Sequence, residues 1–219
     1  MIDWALLPEQ RDEMHTRASE HTITIHNSLT NDVRRQLDII ASILYPIEQR
    51  TDTLNNAVNA AIDNIMDGIP VVLDENHTFA QRVQYRIQVG MRNVVRGLGA
   101  ELLEHGAGIL EHDPFEVNNP ITNEPIVLTE DRMRTFRDTT AGITRRVIEI
   151  PRFAQRSDYW HNDDRTPTYR TNSEFFADYF SAMMRNDVEK IKILWHYFPE
   201  IMGVMENEIM PQIFERIGV

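Results

Sequence analysis

An eight-residue alternation of polar and apolar side chains near the middle of the chain limits the possible folds more than any other feature. In Arg82-Val-Gln-Tyr-Arg-Ile-Gln-Val89, every second residue is apolar or aromatic and the others are arginines and glutamines. Successive side chains of a β-strand point to opposite faces, so this pattern predicts a strand with one buried face and one face in water. A short apolar run over Ile69–Leu73 predicts a second strand beside it.

Helical spacings dominate the sequence on both sides of these predicted strands. Before them, apolar residues recur at intervals of three and four up to Pro46, and again from about Thr51 to Gly68, which predicts two helices. After them, we expect a central helix over residues 93–111 and a short helix over residues 130–140, capped by Thr129.

The C-terminal third of the chain carries three apolar stripes at helical spacing. We expect each stripe to face the core of a helical subdomain. The stripes consist of Phe175, Phe176, Tyr179, Phe180 and Met183; then Val188, Ile191, Trp195 and Phe198; and then Ile201, Met205, Ile209 and Ile213.

Together these patterns predict an α+β fold in two parts. Residues 1–68 form a helical N-terminal part, and residues 69–219 form a small sheet packed on the central helix, followed by the helical subdomain. A single continuous domain over residues 1–219 is the alternative, because a chain of this length supports one well-packed core or two small ones.

The charge of the chain restricts its partners. Its 34 acidic and 22 basic side chains give a formal net charge of −12. This balance repels phosphate backbones and anionic lipid surfaces, so we expect no nucleic-acid or membrane-surface binding, and it favours a basic partner. No stretch reaches the roughly 20 apolar residues that a membrane-spanning helix requires.

Cysteine usage and the N-terminal residues leave the compartment open. The chain has no cysteine, which excludes disulfide scaffolds, thiolate zinc sites and cysteine nucleophiles. The first ten residues lack the basic region of an ordinary signal peptide. If the protein is exported, we therefore expect delivery by a specialised secretion system.

One segment of the C-terminal third suggests a family. Tyr169-Arg-Thr-Asn-Ser-Glu-Phe-Phe-Ala-Asp-Tyr-Phe180 resembles the segment of anthrax lethal factor-like metalloproteases that supplies their third zinc ligand. The resemblance implies a zincin-like fold over about residues 69–219. It also implies that Glu174 occupies the position of a metal ligand and Tyr169 that of an assisting tyrosine.

The zinc-binding helix of such a protease should carry His-Glu-x-x-His, and here that motif is degenerate. Two histidines four residues apart share one helical face and can both reach one zinc, while the glutamate polarises the attacking water. In the best alignment His105 takes the place of the first ligand, Gly106 replaces the general base and Ile109 replaces the second histidine. An isoleucine has no lone pair to donate, so we expect no bound cofactor.

Two other residues of the same predicted helix are alternative metal ligands. Glu101 lies four residues before His105 and His112 lies seven residues after it. Seven residues correspond to roughly 10 Å along a helix, too far for both histidines to bind one zinc. Glu101, His105 and Glu174 would make a two-carboxylate, one-histidine set that suits iron or manganese better than zinc.

These observations predict a pseudo-metalloprotease of toxin or effector type. We expect it to bind a protein or peptide through the former substrate cleft and not to act as an enzyme. An active metal-dependent peptidase with a rearranged ligand set, using zinc or another divalent metal, is the second hypothesis. A structural module of a secretion or phage particle is the third, and the oligomeric state stays open.

Overall fold

The computed structural model describes residues 21–72, 76–97, 114–149 and 170–217. All regular elements in these ranges are helices. They are α1 Thr22–Leu44, a 3-10 turn Ile47–Gln49, α2 Asp52–Met66, α3 Phe79–Val95, α4 Glu130–Ile143, α5 Arg170–Met184, α6 Val188–Tyr197, α7 Pro199–Val204, a π-helical turn Met205–Ile209, and α8 Met210–Ile217.

The predicted α+β, zincin-like fold class is therefore wrong: the fold is all-helical, with no strand or sheet in the described ranges. The alternating segment at 82–89 lies inside α3. Its apolar residues also have helical spacing, because Val83, Ile87 and Met91 are four residues apart and all are buried. The helix begins with a capping box in which Thr78 and Gln81 each accept a hydrogen bond from the other residue's backbone N–H.

The second predicted strand is also absent. Residues 69–72 belong to no sheet, and Leu73 lies outside the described residues. This segment follows the C-terminal end of α2, where Gly68 adopts a positive φ of 78° and ends the helix, as the sequence predicts.

The other helix boundaries follow local signals in the sequence. The side chains of Thr51, Thr129 and Asp187 accept hydrogen bonds from the backbone N–H three residues later, at the starts of α2, α4 and α6. The predicted short helix with its Thr129 cap is confirmed. The long predicted helix over residues 93–111 lies mostly outside the described residues, which end on this side at Gly97.

An aromatic cluster joins the middle of the chain to its C-terminal third. The rings of Phe136 on α4 and Tyr197 on α6 are stacked with centroids 4.0 Å apart. Phe198 meets Phe136 and Phe175 edge to face, with centroids 5.6 Å and 5.3 Å away. All four rings are buried, and such pairs add to the free energy that burial alone supplies.

The terminal helix contains a π-helical turn between α7 and α8. The backbone N–H of Met210 donates to the carbonyl of Met205, five residues earlier. Pro211 follows directly and has no N–H with which to continue an α-helical ladder, so the wider turn lies where that ladder is interrupted. The apolar stripe predicted for this helix is confirmed, since Ile201, Met205, Ile209 and Ile213 are all buried.

Candidate functional site

Most residues of the predicted metal site lie outside the part of the chain that the structure describes. The residues at 101, 105, 106, 109, 112 and 169 lie outside the described ranges. Glu174 is described: it lies on α5 with its side chain exposed, whereas its neighbours Phe175 and Phe176 are buried. Within the described ranges, no group of three or more histidine and acidic side chains is placed to hold a metal ion.

An open groove lies among the last helices of the chain. Its volume is about 420 Å³, and it opens to solvent along one side. It lies between α5, α6 and the terminal helix. The residues that line it are Tyr179, Met183, Asn186, Val188, Ile191, Glu206, Met210, Pro211 and Phe214.

Apolar side chains form most of the groove. Tyr179 and Met210 are buried, and only 3% of the surface of each residue is exposed. Val188, Ile191 and Phe214 are half-buried and present part of their surface to the opening. Two of the lining residues, Met183 and Met210, have flexible and polarisable side chains. Methionines of this kind adapt to apolar ligands of different shape.

The orientation of α6 differs from the predicted one, and this difference explains why the surface of the groove is apolar. The sequence predicts that Val188, Ile191, Trp195 and Phe198 point into the core. Phe198 is fully buried, but the other three are only half-buried, and Ile191 and Trp195 pack against the edge of the core. The core face of α6 is formed instead by the fully buried Ile193, Leu194 and Tyr197. Helix α6 is therefore apolar on two faces, one in the core and one toward the groove and its rim.

Glu206 is the one charged residue among those that line the groove. It belongs to the π-helical turn, and its Oε1 accepts a hydrogen bond from Trp195 Nε1 at 2.9 Å. This contact joins the terminal helix to α6 across the rim and holds the carboxylate in place. Burial, together with the negative charge of Glu206, raises the pKa of Tyr179 from its ordinary value of 10.0 to about 12.

A partly buried ion cluster fixes α6 beside α5. Asp178 on α5 accepts hydrogen bonds from Lys190 Nζ at 3.0 Å and from the hydroxyl of Thr135 on α4, and Arg134 Nη2 lies 3.6 Å from the same carboxylate. The Asp178 and Lys190 side chains are each 18% exposed, which reduces screening by water. The cluster ties three helices together, so two walls of the groove keep a fixed spacing.

Asn186 shapes the end of the groove where α5 turns into α6. It adopts a left-handed backbone conformation with φ 52°, which asparagine tolerates better than most residues. Asp187 then caps α6 by accepting from the N–H of Lys190 at 3.0 Å. The polar turn between the two helices is therefore also a boundary of the groove.

The sequence contains one signal that points to this site. Pro211 interrupts a long apolar periodicity in the terminal helix, and π-helical turns beside such interruptions occur frequently at functional sites. The groove itself depends on how three helices pack, which periodicity alone does not reveal.

No protein-family model, curated protein or solved structure matches the chain. None of the helices in the described ranges is long and apolar enough to cross a membrane.

Proposed function

We propose that this chain is a protein-binding module that receives an apolar segment of a partner protein in the groove between α5, α6 and the terminal helix. The observation that carries the proposal is the apolar lining of a cavity of about 420 Å³ that is open to solvent. Covering an apolar concavity removes apolar surface from water, and this favours the binding of an apolar segment.

A protein segment suits the groove better than a small polar ligand does. Pockets for small molecules have a few convergent polar groups that fix the orientation of the ligand. They also enclose most of the surface of the ligand, whereas this groove is open to solvent along one side and most of its lining is apolar. The burial of apolar side chains would therefore supply most of the binding free energy.

The proposal keeps one part of the sequence-based prediction and changes its location. The protein or peptide partner is retained. The former substrate cleft, in which a peptide pairs with an edge strand, depends on a sheet that the described ranges lack. The pseudo-metalloprotease identity, the active peptidase with a rearranged ligand set and the structural module stay predictions, because most of the residues that distinguish them lie outside those ranges.

A pair of matched substitutions tests the proposal. Val188→Trp places a large side chain into the groove from the start of α6, at a half-buried residue. Val127→Trp makes the same change at a valine that is 71% exposed and does not line the groove. Circular dichroism and thermal unfolding establish that both variants fold.

Binding is measured by fluorescence anisotropy with three labelled amphipathic peptides of about 14 residues, each with a leucine face. Their polar faces carry lysine, glutamine or glutamate. We expect the unaltered protein to bind at least one peptide, Val188→Trp to weaken that binding by about tenfold or more, and Val127→Trp to change it by less than about twofold. The proposal is overturned if no peptide binds, or if the two tryptophan variants bind alike.

A further inference from the structure

The charge around the groove narrows the class of partner, and this inference rests on the proposed function. We propose that the groove binds a cationic amphipathic helix, in which apolar anchors lie on one face and lysine or arginine lies at the edge of that face. The position of Glu206, the apolar lining of the groove and the net negative charge of the chain carry the proposal.

Glu206 supplies a negative charge at the rim. Its side chain is exposed, and the hydrogen bond from Trp195 at 2.9 Å favours a position beside the apolar lining before a partner binds. A cationic side chain next to an apolar anchor would reach this carboxylate as the anchor enters the groove. A glutamate or aspartate of the partner at that position would instead be repelled by the carboxylate of Glu206.

The chain adds a general negative charge to that of Glu206, which is the only glutamate among the residues that line the groove. Residues 199–217 include four glutamates and one arginine. The chain as a whole has a net charge of −12. This distribution attracts a cationic partner and raises its rate of association.

The lining also favours a helical segment over an extended one. Apolar side chains of α6 and of the terminal helix line the groove on two sides. A helix satisfies its own backbone and offers apolar side chains at intervals of three and four residues. Met183 and Met210 can adjust to the shape of such anchors.

Two variants that remove the same charge test the electrostatic part of the proposal. Glu206→Gln removes the negative charge and keeps an oxygen that can accept from Trp195. Glu48→Gln removes one negative charge at an exposed residue of the 3-10 turn that does not line the groove. Both variants are titrated with the labelled lysine-faced, glutamine-faced and glutamate-faced peptides.

We expect the lysine-faced peptide to bind the unaltered protein about tenfold more tightly than the glutamate-faced peptide. Glu206→Gln should weaken binding of the lysine-faced peptide by about three- to fivefold, and Glu48→Gln by less than about 1.5-fold. If the two glutamine variants weaken binding equally, the attraction belongs to the overall charge of the chain and this inference fails.

The peptides also separate failure of this inference from failure of the proposed function. If all three peptides bind alike and Val188→Trp still abolishes binding, the groove is a protein-binding site but does not select a cationic partner. A lysine-faced peptide with a central proline tests the helical part, because proline breaks a helix and leaves the charge unchanged. We expect it to bind at least about tenfold more weakly, and equal binding would overturn the helical partner.

Discussion

The side-chain amide of Gln88 pairs with both backbone groups of Val71. Its Oε1 accepts from the Val71 N–H at 3.2 Å and its Nε2 donates to the Val71 carbonyl at 3.3 Å. Gln84, one turn earlier on α3, donates to the carbonyl of Ile69 at 2.6 Å. Two glutamines of a helix thus supply hydrogen bonds that a neighbouring strand would otherwise supply, and they attach residues 69–72 to α3.

Gln88→Leu should destabilise the protein by roughly 2–4 kcal/mol, because it removes the partners of two backbone groups in a buried place. Gln88 is 1% exposed and Val71 is 8% exposed, so water does not readily replace the lost bonds. Urea unfolding followed by circular dichroism measures the change. Gln49→Leu, at an exposed glutamine of the 3-10 turn, is the control and should shift the free energy of unfolding by less than about 0.5 kcal/mol. Equal effects of the two variants would contradict this account.

The same glutamines explain why the sequence misleads in this region. A period of two is compatible with a strand only if Gln84 and Gln88 face water, and in the structure both are buried. Their hydrogen-bond partners, Ile69 and Val71, lie fifteen and seventeen residues earlier in the chain. No local pattern reveals that a buried glutamine has such a partner, so the helical spacing of Val83 and Ile87 was the weaker signal in the sequence and the correct one.

Features that depend only on residues close together in the sequence are predicted correctly. Thr51 and Thr129 start helices, Gly68 ends one, and the stripe from Ile201 to Ile213 is buried as expected. The groove was not predicted, because it requires knowing which of two apolar faces of α6 enters the core. The aromatic cluster around Phe136 decides that choice, and it brings together residues about 60 positions apart in the chain.

Replacement of two glycines by alanine should change the free energy of unfolding in opposite directions. At Gly68, φ is +78° and a Cβ would lie 2.7 Å from the Cβ of Arg145, so Gly68→Ala should lower the free energy of unfolding by more than about 1 kcal/mol. At Gly203, within α7, a Cβ would meet no atom within 4 Å. Gly203→Ala should therefore stabilise the protein by about 0.5–1 kcal/mol through helix propensity. Thermal unfolding of the two variants checks the opposite signs, and a shift of both in the same direction would refute the prediction.

Glu174→Ala tests the predicted loss of the metal. Glu174 is exposed on α5, so without a bound metal its replacement should change the free energy of unfolding by less than about 0.5 kcal/mol, both with and without a chelator. A ligand of a structural metal would behave differently, because the binding free energy of the metal is part of the folding free energy. Metal analysis of the purified protein and melting curves with added chelator provide the measurement. If a chelator lowers the stability of the unaltered protein but not that of the variant, the result would contradict this prediction. It would support the rearranged ligand set of Glu101, His105 and Glu174.

Asp32 on α1 caps the distant helix α7. Its two carboxylate oxygens accept from the backbone N–H groups of Glu200 and Ile201 at 3.1 Å and 3.0 Å. Phe198, which precedes α7, has no side-chain group that can do so. Asp32 is 1% exposed, and this burial raises its pKa to about 6 although the two N–H donors and Arg35 act in the opposite direction.

This raised pKa predicts that Asp32 makes the protein less stable as the pH rises from about 4 to about 6. In that range the unfolded chain, whose aspartate has an ordinary pKa of 3.8, releases the proton while the folded chain retains it. The contribution is fully favourable below the lower pKa and is lost above the higher one, a difference of up to about 3 kcal/mol. Asp38 and Asp138 also have raised pKa values, so comparison with Asp32→Asn is needed to isolate this carboxyl. In urea unfolding, the free energy of the unaltered protein minus that of Asp32→Asn should fall between about pH 4 and about pH 7.5. A rise over the same interval would mean that the two N–H donors at the start of α7 outweigh burial, and that Asp32 acts as a charged cap.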